Sequence, residues 1–132
     1  MTANQNEIVF YILVRTDLEL TPGKLAAQAG HAVQLTMQAA RDHGGGTKEP
    51  SSAHQWLAEW EQNSYPKIVL AVNGEAALRK YVEAVCALGA PAALVIDEGR
   101  TQVAAGTVTC AGVGPVPRSL VSPVLKRLQL LR

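Results

Sequence analysis

The sequence predicts an α/β fold in which a mixed, mostly parallel sheet carries helices on both faces. Apolar runs rich in β-branched residues alternate with longer segments of helical periodicity, an order typical of parallel crossovers. A short connection without a helix precedes the last strand and makes the sheet mixed. The 132 residues suit one domain with its own core, so a single domain is expected over residues 1–132.

The first strand and the first helix have the clearest sequence signals. Ile8–Val14 is nearly all apolar, as in a strand buried on both faces. Thr21 can cap a helix and Pro22 fits its first turn, and this helix should run to about Arg41, where a glycine-rich loop over residues 43–50 follows. The remaining predicted elements are a helix from Ser51 or Ser52 to about Gln62, the strand Lys67–Val72, the helix Glu75–Leu88, the strands Ala93–Ile96 and Val108–Val113, and a last helix within Ser119–Leu130.

Helical periodicity divides the first helix into two sides. The side expected to pack on the sheet is small and apolar and comprises Leu25, Ala29, Ala32, Val33, Thr36 and Ala40. Lys24, Gln28 and His31 fall on the opposite side. The helix is therefore expected to present these three polar side chains away from the sheet.

Composition and charge argue against several classes of protein. The net charge of +1 disfavours a dedicated binder of duplex DNA, although it leaves room for a local basic face. No run approaches 18 apolar residues and the polar start of the chain does not resemble a signal peptide, so neither a membrane span nor secretion is expected. Cys86 and Cys110 lie in apolar runs and are interpreted as buried free thiols, which predicts a cytoplasmic protein. The histidines and cysteines show no zinc spacing, and no metal site is predicted.

Two polar segments directly follow predicted strands. Arg15–Lys24 follows the first strand, and Asp97–Thr107 follows the third. Ligands of open α/β sheets bind beyond the carboxyl ends of the strands, so these segments should converge on one cleft. The side chains expected to meet there are those of Lys24, Gln28, His31, Asp97, Arg100, Thr101 and Gln102.

This set of side chains could hydrolyse an ester. A carboxylate can orient or deprotonate a water molecule, and a lysine near the start of a helix can stabilise an oxyanion. No serine or cysteine nucleophile with a paired base is evident. Plainer interpretations stay open: Lys24 as a solvated charge, Asp97 as the cap of a turn, His31 as the partner of a neighbouring side chain, and Trp56 with Trp60 as a packing pair.

Two long motifs resemble those of type 2 peptidyl-tRNA hydrolases. Residues 21–32, TPGKLAAQAGHA, are similar to the family's Gly-Lys-x-Ala-Ala-Gln-x-x-His-Ala helix start. Residues 97–107, DEGRTQVAAGT, are similar to its Asp-Ala-Gly-Arg-Thr-Gln-Ile-Ala-Pro-Gly-Thr segment. The strand Lys67–Leu70 and the strand end Gly112–Pro115 also match. The resemblance therefore covers nearly the whole chain in the right order.

The resemblance implies a three-layer α/β/α sandwich with a mixed, mostly parallel four-stranded sheet. It implies hydrolysis of the ester bond between peptide and tRNA, with the acceptor end of peptidyl-tRNA as partner and with neither a metal nor an organic cofactor. By this resemblance Lys24 would stabilise developing negative charge, Asp97 would orient or activate water, and Thr101 would position substrate or water. The residues implied to bind substrate are Gln28, His31, Arg100, Gln102 and Thr107. A homodimer is compatible with the family fold.

The chain departs from the family motif at two positions. Glu98 stands where the family usually has alanine, and Ala105 replaces its proline. A second carboxylate beside Asp97 is expected either to raise the pKa of one of the two carboxyl groups or to repel phosphate.

Three hypotheses about function follow. The first is an esterase acting on peptidyl-tRNA, which predicts a basic surface around the cleft drawn from Arg15, Lys24, Lys67, Arg100 and Arg118. The second is a non-catalytic or repurposed domain of the same fold that binds a protein or a small ligand. The third is a hydrolase for another acyl ester or amide.

Overall fold

The computed structural model describes residues 4–42, 52–99 and 103–132. The described part contains four strands and four helices. In chain order they are β1 (Ile8–Arg15), α1 (Pro22–Asp42), α2 (Ser52–Gln62), β2 (Lys67–Val72), α3 (Glu75–Ala87), β3 (Ala92–Ile96), β4 (Val108–Pro117) and α4 (Arg118–Leu125). The predicted order of elements is confirmed. The predicted loop over residues 43–50 lies outside the described residues.

The end of the chain differs most from the prediction. The last helix stops at Leu125 instead of continuing towards Leu130. The residues beyond it pair with the outer edge of β2, where Ala71 N–H donates to the Gln129 carbonyl at 2.8 Å and Leu131 N–H donates to the Val69 carbonyl at 3.0 Å. The tail therefore satisfies its backbone groups on the sheet and not within a helix.

The four strands form one sheet in the order β2-β1-β4-β3. β1 pairs with β2 in parallel, and β4 lies antiparallel between β1 and β3. β1, β2 and β3 thus run in the same direction, which confirms the mixed and mostly parallel sheet. Arg15, Val72 and Ile96, at the carboxyl ends of these strands, lie at one edge of the sheet together with Val108 at the start of β4. We call this edge, which is formed by the ends of the strands and not by an outer strand, the site edge.

Helices cover both faces of the sheet, as the three-layer sandwich requires. Val9 and Leu13 of β1 belong to a core shared with α3 and α4. Phe10 and Val14, which point to the other face because strand side chains alternate, belong to a core shared with α1 and α2. Both faces of β1 are therefore buried, which explains its unbroken apolar sequence. Of the described helices, none is long and apolar enough to cross a membrane.

The two cysteines are both free, as predicted, but only one is buried. Cys110 of β4 is buried and Cys86 of α3 is exposed. The prediction for Cys86 was wrong because the apolar run around it lies on a helix whose buried side is carried by Leu78 and Val85. Cys86 follows Val85 by one residue and so points about 100° away from that side.

Helix α1 lies very close to the sheet at Gly112 of β4. A Cβ atom added at Gly112 would come within 2.2 Å of the Thr36 hydroxyl oxygen, 2.7 Å of the Phe10 ring and 2.8 Å of the Ala32 carbonyl oxygen. Real Cβ atoms do not approach other atoms so closely. The absence of a side chain at this position therefore sets the distance between the helix and the sheet.

We expect Gly112→Ala to lower the free energy of unfolding by about 1 to 3 kcal/mol, because the added methyl group overpacks the contact between α1 and β4. Gly30→Ala is the matched control, since Gly30 lies on α1 with no atom within 4 Å of an added Cβ. That change should raise the free energy of unfolding by up to about 1 kcal/mol through helix propensity. Urea denaturation measures both variants. Equal stability of the two variants would contradict the close contact.

Candidate active site

The amine of Lys24 and the carboxylate of Asp97 meet at the site edge. Lys24 lies in the first turn of α1, and Asp97 directly follows β3. Lys24 Nζ donates a hydrogen bond to Asp97 Oδ1 at 2.5 Å. The side chains retain only 10% and 5% of their full exposure, so the ion pair is largely shielded from water. The predicted convergence of these two residues is confirmed.

Both oxygens of the Asp97 carboxylate accept hydrogen bonds. Besides Lys24, Gln28 Nε2 donates to Oδ1 at 3.3 Å, and the backbone N–H of Gly99 donates to Oδ2 at 2.6 Å. Gly99 has φ near +80°, and a Cβ atom there would lie 2.6 Å from the backbone nitrogen of Ala105. A glycine is therefore needed at this position for its N–H to reach the carboxylate.

These contacts set the charge state of Asp97. The hydrogen bond from Lys24 and, after it, that from Gly99 N–H lower the pKa of the Asp97 carboxyl, and the positive charges of Lys24 and His31 act in the same direction against the opposing effect of burial. The expectation that Glu98 raises a carboxyl pKa therefore does not hold for Asp97. The Asp97 side chain is a firmly ionised carboxylate at neutral pH.

Gln28 lies between α1 and β4 and not on the polar side of the helix. Its side chain is only 3% exposed, so the prediction that it points away from the sheet was wrong. The Thr109 hydroxyl donates to Gln28 Oε1 at 2.6 Å, while Gln28 Nε2 donates to Asp97. A glutamine can be buried here because both ends of its amide have partners.

Thr109 is a residue of the site that the sequence analysis missed. It is fully buried in β4 and supports Gln28 from below the carboxylate. Val95 pairs with Cys110 and Ile96 pairs with Val108, so Thr109 is the extra residue of a bulge in β4. Bulges often re-aim side chains beside active sites. The available signal was a single hydroxyl within the apolar run that forms β4.

A cleft of about 670 Å³ opens beside the ion pair, between α1 and β3. The residues lining it are Gly23, Lys24, Ala27, Gln28, His31, Gln34, Leu35, Val95, Ile96, Asp97 and Glu98. His31 is exposed at the cleft, as expected for a residue that could contact a ligand. Leu35 and Ile96 are large apolar side chains with 44% and 59% exposure, so the cleft combines a charged end with an apolar wall.

The other predicted site residues have different positions. Thr107 does not line the cleft, and its hydroxyl donates to the Ala104 carbonyl at 2.7 Å within the turn before β4. The structure does not describe Arg100, Thr101 and Gln102, so their predicted roles stay predictions. Within the described ranges, no group of three or more potential ligands is arranged to hold a metal ion.

The predicted basic surface does not form as expected. Lys67 begins β2 and Arg118 follows β4, so both lie at the edge of the sheet opposite the site edge. Lys67 Nζ lies 5.1 Å from the ring centroid of Trp60, and Arg118 pairs with Glu7. The prediction failed because it did not use the position of each cation along its strand: Lys67 begins its predicted strand, whereas ligands bind beyond the carboxyl ends.

Arg15 reaches the site edge, but its charge is already paired. Its guanidinium contacts Asp17 at 2.8 Å and Glu75 at 3.5 Å and donates to the Val108 carbonyl.

Trp60 is buried, donates from its indole N–H to the Pro66 carbonyl and has ring contacts with Phe10 and Tyr65. Trp56 is half-buried against both cores, so both tryptophans serve packing, but the expected pair of their two rings is not found among the described residues.

The fold and the site together define a small α/β/α domain with an amine and a carboxylate paired at the charged end of an open cleft. The sequence model described as "Peptidyl-tRNA hydrolase PTH2" matches residues 8–131. The chain therefore belongs to the PTH2 family of peptidyl-tRNA hydrolases.

Relatives from archaea support this membership. The chain is 39% identical to "Peptidyl-tRNA hydrolase" of Sulfolobus acidocaldarius over 91% of its own length and 97% of that protein. It is 38% identical to the protein of the same description from Metallosphaera sedula, again over 91% and 97%. It is 39% identical to that from Sulfurisphaera tokodaii, over 91% of this chain and 95% of the relative.

Replacement of the Thr109 hydroxyl should show how much its buried hydrogen bond to Gln28 contributes to the free energy of unfolding. Thr109→Val keeps the shape of the side chain but leaves Gln28 Oε1 without its donor, so we expect the free energy of unfolding to fall by about 1 to 3 kcal/mol. Thr36→Val is the matched control, because Thr36 is also fully buried and its hydroxyl has no partner in the described part of the chain. A loss of similar size in both variants would contradict the support by Thr109.

The ion pair should make the free energy of unfolding depend on pH in a defined direction. Because the folded state lowers the pKa of Asp97, its stabilising contribution is complete above the ordinary carboxyl pKa of about 4 and is lost as the pH falls through the lower, folded value. We expect the difference in unfolding free energy between the wild type and Asp97→Asn to shrink from about pH 6 to about pH 3. Urea titrations across this range measure it. A difference that stays constant would argue against a lowered pKa.

Proposed function

We propose that this chain hydrolyses the ester bond that joins a peptide to tRNA and so releases both for reuse. The observation that carries the proposal is the shielded contact between Lys24 and Asp97 at an open cleft in a member of the PTH2 family. Peptidyl-tRNA, entering through its acceptor end, is the partner that this activity requires.

The two charged groups suit different parts of the reaction. An ammonium group has three N–H donors, of which Lys24 uses one for Asp97, so others can bind the oxygen that becomes negative when water attacks the ester carbonyl. The new bond joins the water oxygen to the carbonyl carbon, and the bond to the ribose oxygen breaks. One proton of the water goes to the ribose oxygen and the other is released to the solvent, which leaves a peptide carboxylate and a free tRNA hydroxyl.

Asp97 serves this reaction mainly as an orienting group. A carboxylate with a lowered pKa is a weak base, so its main contributions are to fix Lys24 and to align the attacking water by accepting a hydrogen bond from it. Gln28 is almost fully buried and donates to the carboxylate, so we infer that it acts mainly through Asp97. We retain Thr101 as the residue that positions substrate or water.

The remaining assignments are proposals of the same kind. His31 is exposed at the cleft and is available to contact the RNA end. Arg100, Gln102 and Thr107 are proposed to bind substrate on the basis of the family motif. Action in the cytoplasm, a single domain over residues 1–132 and a homodimer stay predictions.

The test is release of free tRNA from a purified peptidyl-tRNA. We expect Lys24→Ala and Asp97→Asn each to lower kcat by roughly 10²- to 10³-fold with a smaller change in KM, because both groups act mainly in the transition state. Lys80→Ala and Asp42→Asn remove an exposed lysine on α3 and an exposed aspartate at the end of α1, and both should retain activity.

Three results would oppose this function. Unaltered turnover in folded Lys24→Ala and Asp97→Asn would contradict the catalytic roles proposed for Lys24 and Asp97. Cleavage of a simple aryl ester without cleavage of peptidyl-tRNA would favour another acyl ester as substrate. Failure of the folded wild type to cleave either compound would favour a binding protein with the family's fold.

A further inference from the structure

The two outer edges of the sheet differ in the described part of the chain. The edge of β2 is covered by the C-terminal tail, through the hydrogen bonds of Ala71 with Gln129 and of Leu131 with Val69. β3 is the strand at the other end of the sheet and pairs with β4 alone. No described segment pairs with its outer side.

The backbone groups on that outer side can be identified from the pairing. The Pro91 carbonyl accepts from Gly114 N–H and Asp97 N–H donates to the Thr107 carbonyl, so both of these residues turn their groups towards the β4 side. Residues of an antiparallel pair alternate between facing the partner and facing away. The outward N–H and C=O groups are therefore those of Ala92, Leu94 and Ile96.

Among residues 4–42, 52–99 and 103–132, nothing gives this edge the common kinds of protection against pairing with another strand. Natural sheet edges are commonly blunted by charged side chains, by proline or by a covering segment. β3 has the sequence Ala-Ala-Leu-Val-Ile, without a charge or a proline. Its side chains are small or apolar, and four of the five are at least partly exposed. The strand is open to pairing at low steric cost.

The open edge leads directly to the catalytic pair. Val95 and Ile96 line the same cleft as Lys24, and the next residue along the strand is Asp97. The wall formed by β3 carries no charge up to Ile96, so it suits the uncharged backbone of a peptide better than the phosphates of the RNA half of a peptidyl-tRNA.

We propose that the peptide part of the substrate adds to the outer edge of β3 as a further strand, parallel to β3. This inference rests on the proposed hydrolysis of peptidyl-tRNA. Since β3 runs towards Asp97, a peptide in the parallel direction brings its esterified carboxyl end to the pair of Lys24 and Asp97. Recognition through backbone hydrogen bonds is independent of side chains, so it serves peptides of any sequence.

The first experiment varies the substrate and leaves the protein unchanged. N-acetylated peptidyl-tRNAs with one to six residues are compared by kcat/KM. A strand rises by roughly 3.3 Å per residue, so the five residues of β3 can pair with about four to five peptide residues. We expect kcat/KM to increase with each pair of added residues, by roughly threefold to tenfold per pair, and then to level off.

Methylation of single peptide nitrogens gives the sharper readout. In a parallel pair, every second residue of the peptide directs its N–H and C=O groups to β3, and the residues between them direct theirs away. Single N-methyl groups along a four-residue peptide should therefore lower kcat/KM by roughly threefold to tenfold at alternate positions only. The unaffected positions are the internal control for the steric effect of the methyl group.

The second experiment changes the protein. Leu94→Pro removes one outward N–H without removing a bond to β4, and Leu94→Ala is the matched control, which shortens the side chain and keeps the N–H. We expect Leu94→Pro to abolish most of the gain in kcat/KM between one-residue and four-residue substrates, while Leu94→Ala preserves that gain. Because the readout is a ratio within one variant, a general loss of stability does not imitate it.

The outcomes separate this inference from the function on which it rests. Lack of hydrolysis of every peptidyl-tRNA by the folded wild type would overturn both. Hydrolysis that is independent of peptide length, or equal losses at all methylated positions, would overturn strand addition alone. A wild-type dimer in sedimentation that Leu94→Pro dissociates, with the length dependence unchanged, would assign the edge to a second copy of the chain and also overturn the proposal.

Discussion

The fixed position of the Asp97 carboxylate is the constraint on which the rest of the site depends. Its donors come from two places that are far apart in the sequence: the start of α1, which supplies Lys24 and Gln28, and the turn after β3, which supplies Gly99. The carboxylate therefore joins a helix to the end of a strand. Partial burial makes the pairing strict, since either charge left without its partner would be costly where both side chains are this little exposed.

The route of the chain through the sheet explains how these two places come together. β4 lies between β1 and β3 and runs against both, so it returns the chain to the centre of the sheet from the turn that carries Asp97. α1 packs on β4 at Gly112, where the missing side chain allows close contact. The same close approach brings Gln28 over Thr109, so packing of the core and placement of the site have one cause.

Much of the architecture could be predicted because it depends on patterns in short stretches of sequence. The unbroken apolar run of β1 and the Thr-Pro-Gly start of α1 each determine a local structure, and the order of such elements restricts the sheet. The convergence of Lys24 and Asp97 could also be predicted, because strands that run in the same direction end at the same edge.

Most of the failures concern properties that only tertiary contacts decide. A buried amide such as Gln28 looks like a surface residue until a partner such as Thr109 is seen opposite it. The positions of Lys67 and Arg118 are a different kind of failure, because the predicted bounds and directions of the strands already place both cations at the end of the sheet away from Asp97. The last helix was predicted too long because apolar residues such as those after Leu125 occur both on helices and in segments that pair with the outer edge of a sheet, as this one does with β2.

The backbone pairing of the tail with β2 has a consequence for solubility. A fibre that grows by adding strands to a sheet needs two free sheet edges on every molecule. Growth continues only where each added molecule presents another free edge. Because Leu131 and Gln129 occupy the Val69 carbonyl and the Ala71 N–H, a second molecule cannot attach to these groups of β2. The tail therefore opposes the repeated addition of molecules at the β2 side of the sheet.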